Sequence, residues 1–162
     1  MSRAFVKEMD GMDVPEDFPE RPVSEHPNFV TARGLQLIEA QVRELEQERE
    51  QAKQADDKLA LARIDRDLRY WQQRKASARL AQPELAQPET PPVKVRFGMR
   101  VTLLGDEGNE RRFVLVGEDE ADPAAGRISW TSPVGQLLLG NEVGDEIQLQ
   151  GKRAEIVRID IP

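Results

Sequence analysis

At 162 residues, with 33% charged and only 5% aromatic side chains, the chain suits a small globular domain beside an elongated element better than one large core. The absence of cysteine excludes a disulfide framework, a thiol nucleophile and a thiolate zinc site together. A net charge of −7 argues against free duplex DNA as the main partner, because such binding is dominated by neutralising phosphates. No apolar run approaches the roughly 20 residues that span a bilayer, and Met1-Ser2-Arg3-Ala4 does not open a signal peptide, so a soluble, cytoplasmic protein with no membrane partner is expected.

Residues 1–30 hold Pro15, Pro19, Pro22 and Pro27 and show no helical or alternating apolar period, which predicts a flexible tail. Phe5, Phe18 and Phe29 are its candidates for docking on a surface. From Thr31, a helix cap, the pattern changes. Leu35, Ile38, Val42, Leu45, Arg49 and Ala52 follow at spacings of three and four, and Leu61, Ile64, Leu68, Trp71, Lys75 and Ala78 repeat the rhythm. Paired antiparallel, the two seams match Ala52 with Leu61, Leu45 with Leu68 and Val42 with Trp71. The spacing therefore predicts an intramolecular coiled-coil hairpin over 31–80, turning between Asp56 and Asp57, and a monomer.

Pro83, Pro88, Pro91 and Pro92 end the second helix and predict a semi-rigid linker over 81–95. Beyond it, 96–162 reads as a small domain. Alternating runs predict strands over Arg100–Leu104, Arg112–Val116, Glu146–Leu149 and Ala154–Ile159, with turns at 105–109 and 150–152. Ser132 as cap and Pro133 as first residue predict a short helix closed by Gly140. The fold class expected is α+β: a helical hairpin, then an antiparallel sheet with one helix.

Charge is uneven along this plan. Residues 32–80 carry eleven Lys or Arg against nine Asp or Glu, a net +2 inside an acidic protein. Lys58, Arg63, Arg66, Arg69, Arg74, Lys75 and Arg79 concentrate it on the second arm. Two roles are open for this stripe: contact with phosphates or an acidic wall on a partner, or pairing with Glu39, Glu44, Glu46, Glu48 and Glu50 of the first arm. His26 is the only histidine and lies in the tail, so no Ser-His-Asp set can be assembled, and no phosphate-binding glycine loop is present.

Four segments in order carry a resemblance: Gly117-Glu118-Asp119-Glu120-Ala121-Asp122, Ser132-Pro133, Leu139-Gly140 and Val143-Gly144-Asp145-Glu146. With Asn28–Gly34 and Ile64–Tyr70 around the helices, they resemble the bacterial GreA/GreB family over about residues 28–161. The resemblance implies an FKBP-like C-terminal domain that docks on RNA polymerase through Ser132 and Pro133, and a hairpin inserted into the polymerase secondary channel to modulate elongation. Thr131 stands where the family often has an acidic residue. By the same resemblance Arg63, Arg66, Arg69 and Arg74 are candidates for contact with nascent RNA or the channel wall.

The resemblance implies that cleavage-stimulating members lend an Asp and a Glu, separated by two residues, to a magnesium ion in the polymerase, so Asp56 and Asp57 are the candidate metal ligands here. A metal held by oxygens can activate water and stabilise a leaving oxygen, and the chemistry would be the polymerase's, not this chain's. Adjacent Asp residues also serve as a turn and a helix cap, and both readings stand. The Asp-x-x-Glu spacing is absent and the arms look shorter than the family's, so a short-armed channel regulator without cleavage stimulation, similar to Rnk proteins, is the alternative. An FKBP-like isomerase is disfavoured because only Phe97, Phe113 and Trp130 follow the linker as aromatics, and a coiled-coil adaptor would require an intermolecular pairing.

Overall fold

A computed structural model of the chain describes residues 18–82 and 91–162. Helix α1 spans Ala32–Gln54 and α2 spans Lys58–Ser77, antiparallel and joined by three residues. Each start is fixed by a side-chain cap: Thr31 Oγ1 accepts from Gly34 N–H at 2.9 Å and Asp57 Oδ1 accepts from Ala60 N–H at 3.1 Å. Between them Asp56 adopts φ 50°, a left-handed conformation that Asp tolerates better than most residues. Val42, Leu45, Ala52, Ile64 and Leu68 are buried between the arms, with Leu61 and Trp71 packed against them. Burial of one such large aliphatic side chain contributes about 1.5–3 kcal/mol.

Toward the base the seam departs from the expected register. Lys75, expected inside, is exposed, and Arg74, expected outside, is 2% exposed. The cause is a change of neighbour: there α2 packs against the C-terminal domain, which receives a charged residue. Strands β1 (Phe29–Val30) and β2 (Arg79–Leu80) pair in parallel across the open end and tie the start of α1 to the exit of α2.

The C-terminal sheet has five strands: β3 (Arg100–Gly105), β4 (Glu110–Val116), β5 (Arg127–Ser129), β6 (Glu146–Leu149) and β7 (Lys152–Asp160), in the order β5-β4-β3-β7-β6. The four long strands pair antiparallel as their alternation predicts. The three-residue β5 is too short to show a period and pairs with β4 in parallel, so the sheet is mixed. Helix α3 (Pro133–Leu138) packs on it, with Leu138 fully buried beside Val101, Leu103, Leu115 and Ile156.

Two boundaries move. Val93 and Val95, assigned to the linker, belong to the domain: Val95 is 1% exposed and its N–H donates to Asn141 O at 2.8 Å. Residues 18–30, assigned to the flexible tail, lie against α2 and the C-terminal domain. Phe5, Pro83 and Pro88 fall outside the described residues.

Candidate functional site: docking face, hairpin tip and hairpin base

Ser132 caps α3: its Oγ accepts from Gly135 N–H at 3.1 Å and donates to Ser129 O at 2.6 Å. That geometry leaves Pro133 exposed at the first helical position, with Leu137 one turn on and 38% exposed. Gly135 is buried against β5, where a Cβ would collide with Ser129 O. The result is a rigid turn that presents a proline and a leucine outward, an arrangement suited to an apolar anchor on a partner. Behind it Trp130 stands between His26, ring centroids 5.7 Å apart, and Phe29, 5.3 Å apart. His26 is thus a surface ring contact.

At the tip Asp56 and Asp57 are exposed, and Asp57 is engaged as the cap of α2. Among the described residues no group of three potential metal ligands occurs. The tip therefore presents two carboxylates, one of them accepting an N–H.

The four arginines of the proposed stripe separate. Arg63 is exposed and has no ion pair among the described residues, Arg66 pairs with Asp67 at 3.0 Å, and Arg69 pairs with Glu20 at 2.6 Å. Arg74 does not belong to the stripe. Its Nε donates to Asp119 Oδ2 at 2.5 Å and its Nη2 to Asn28 Oδ1 at 2.8 Å, while Glu118 Oε2 lies at 3.4 Å. It is buried and turned inward, with partners on Nε and Nη2. The arms are bridged by an ion pair of the opposite sense, Arg49 of α1 with Asp65 of α2 at 2.6 Å, which involves no residue of the stripe.

The carboxylate partners of Arg74 come from the acidic segment Glu118–Glu120, a 3-10 turn after β4. Three carboxylates in succession grip the hairpin base. Asp119 Oδ1 accepts from Tyr70 Oη at 2.6 Å, Glu120 Oε2 accepts from Thr31 Oγ1 at 2.5 Å and Oε1 from Arg33 Nη1 at 3.2 Å, and Glu118 Oε1 accepts from Ser24 Oγ at 2.8 Å and Thr131 Oγ1 at 3.2 Å. Asn28 Nδ2 in turn donates to Arg74 O at 2.8 Å. Burial, followed by the hydrogen bond to Asp119 and its charge, pushes the Tyr70 hydroxyl up to about 12. Close approach needs glycine at Gly117, where a Cβ would collide with the backbone oxygen of Phe29, and at Gly34 a Cβ would press the Glu120 carboxylate at 2.8 Å. Sequence reasoning singled out Glu118–Asp122 and Asn28–Gly34 as motifs but missed that each contacts the other. The available signal was the run of three acids after a strand, which calls for cationic or hydroxyl partners; the helical period gave none for Arg74, which it placed outside.

Residues 90–161 match the family model for the transcription elongation factor GreA/GreB C-terminal region. A transcription elongation factor GreA from Desulfovibrio desulfuricans is 47% identical over 64 residues, 39% of this chain and 40% of that protein. A GreB from Neisseria meningitidis serogroup B is 38% identical over 92 residues, 57% of this chain and 55% of that protein. The chain thus matches about half the length of these relatives or less. A solved GreA/GreB factor from Nitrosomonas europaea aligns with 82% of this chain and 98% of its own at 25% identity and a TM-score of 0.40. The likeness to the GreA/GreB family is therefore carried by residues 90–161, the span that its C-terminal model matches.

Proposed function

We propose that this protein is a bacterial transcription elongation factor of the Gre type, acting in the cytoplasm as a monomer on RNA polymerase. The observation that supports the reading is a C-terminal domain that matches this family's model, joined to a two-helix arm through the Arg74–Asp119 pair. Docking runs through Ser132 and Pro133 with Leu137 beside them, and the arm, about 35 Å long at 1.5 Å per residue, enters the secondary channel. Arg63 leads the basic face toward the channel wall or nascent RNA. The chain has no catalytic group of its own in this reading. Any RNA cleavage is the polymerase's reaction, and the tip stimulates it weakly because Asp57 is committed to capping α2.

The test is to add the protein to backtracked polymerase complexes and follow binding and transcript length together. Binding with altered elongation supports the reading. Failure to bind core polymerase at micromolar concentration rejects it.

A further inference from the structure

The segment before α1 carries three residue-proline pairs: Phe18-Pro19, Arg21-Pro22 and His26-Pro27. Proline fixes its own φ and biases the residue before it toward extended backbone, so the segment gives up little conformational freedom when it is laid down. Each of the three residues before a proline makes a ring contact. The His26 ring meets Trp130 of the C-terminal domain edge-on at 5.7 Å, and Arg21 stacks 4.0 Å over the Tyr70 ring and 5.7 Å from that of Trp71. The Phe18 ring lies 5.3 Å from the Arg66 guanidinium, which Asp67 holds in place at 3.0 Å. Between these points Ser24 bonds Glu118. One stretch of chain thus has a foot on the domain, beside the start of α3, and another on the middle of α2.

The bonds of Arg74, Tyr70, Thr31 and Arg33 to Asp119 and Glu120 all lie near the hairpin base. Alone they leave a pivot. Arg66 stands about 12 Å up the arm from Arg74, and Lys58, the first residue of α2, about 24 Å, so a tilt of roughly 10° about the base would move the tip by about 4 Å. We propose that residues 18–27 are a brace that fixes the angle of the hairpin on the C-terminal domain, with His26 and Arg21 as its positioning residues. The proposal rests on the reading that the tip is delivered to a set place while the domain docks. The brace acts by the position of its second attachment more than by the strength of any one contact, since two fixed points set an angle where one does not.

The chain has no cysteine, so spin labels on Leu59→Cys at the tip and Glu107→Cys in the exposed β3–β4 turn report the angle in the full chain without background. With the brace intact a single narrow distance distribution is expected. Phe18→Ala/Arg21→Ala/His26→Ala should broaden it by about 4 Å or more, with helical circular dichroism unchanged because the Arg74–Asp119 pair remains. His26→Phe keeps a ring against Trp130 and should leave the distribution narrow, as should Glu25→Ala, which removes an exposed side chain of the same segment. A distribution in the triple variant no broader than that of the intact brace, or equal broadening by Glu25→Ala, overturns the proposal. If the triple variant loses helical signal, Arg21→Ala alone decides on the same distances: a broader distribution supports the brace and an unchanged one overturns it. No polymerase enters this assay, so a failure to bind polymerase would sink the proposed function separately.

Discussion

Replacing Arg74 with Met tests whether the acidic turn locks the hairpin to the C-terminal domain. Met matches the length of the stem and removes only the guanidinium. Breaking a buried ion pair from one side typically costs about 3–5 kcal/mol, because the remaining charge is left without its partner. Asp119 keeps the Tyr70 hydroxyl at 2.6 Å, and the Glu118 side chain is 23% exposed and can rehydrate, which places the cost near the lower bound, about 3 kcal/mol. With a urea slope of about 2 kcal/mol/M, the midpoint should fall by roughly 1.5 M. The assay is urea unfolding in a Trp71→Phe background, followed in parallel by far-ultraviolet circular dichroism, dominated by the hairpin, and by fluorescence of Trp130 in the C-terminal domain. With Arg74 in place the two transitions should coincide. In Arg74→Met the helical one should move to lower urea and separate. Adding Asp119→Leu removes the stranded carboxylate and should recover most of the loss. A cost below about 1 kcal/mol for Arg74→Met, or a double variant no better than the single, would refute the lock.

Tyr70 is the only tyrosine, so its ionisation is readable directly by tyrosinate absorbance, and it should titrate at about 12, with Asp119→Asn moving the midpoint down toward 10. Because the folded value lies above the unfolded one, the stability it contributes is complete below pH 10 and is lost as pH rises toward 12; an ordinary midpoint near 10 in the wild type would remove the Tyr70–Asp119 bond. Pro133→Glu should weaken polymerase binding at least tenfold without changing the circular dichroism spectrum, and unchanged affinity would take this turn out of the interface. Spin labels at Leu37 and Ala76, both exposed near the base, should report close approach that persists on dilution with unlabelled protein, whereas loss of the short distance would indicate pairing between chains.

The hairpin was legible because a long three-and-four period with capping residues at Thr31 and Asp57 admits few other structures. The four long strands were legible by their alternation. β1, β2 and β5 were not, since two or three residues carry no period and pair only because the hairpin base and β4 already stand beside them. Arg74 shows the limit of periodicity most clearly. A helical wheel asks which residues face the other helix, and at the base α2 faces carboxylates, so the buried residue is charged and the apolar rule misplaces Lys75 by one position. The same tertiary contact explains residues 18–30, whose low hydrophobicity predicts a mobile tail and whose ordering comes from guanidinium, ring and carboxylate contacts to distant parts of the chain. At the start of α3, by contrast, Ser132 and Pro133 are placed as their local chemistry requires.

The central claim, that the domain docks on RNA polymerase and delivers the hairpin into its secondary channel, is tested most directly by a photocrosslinker at Leu59, an exposed residue beside the tip. The account predicts crosslinks to polymerase segments lining the secondary channel, lost on competition with a GreA factor and reduced by Pro133→Glu. Crosslinks confined to the outer surface of the polymerase, or none at saturating protein, would contradict it.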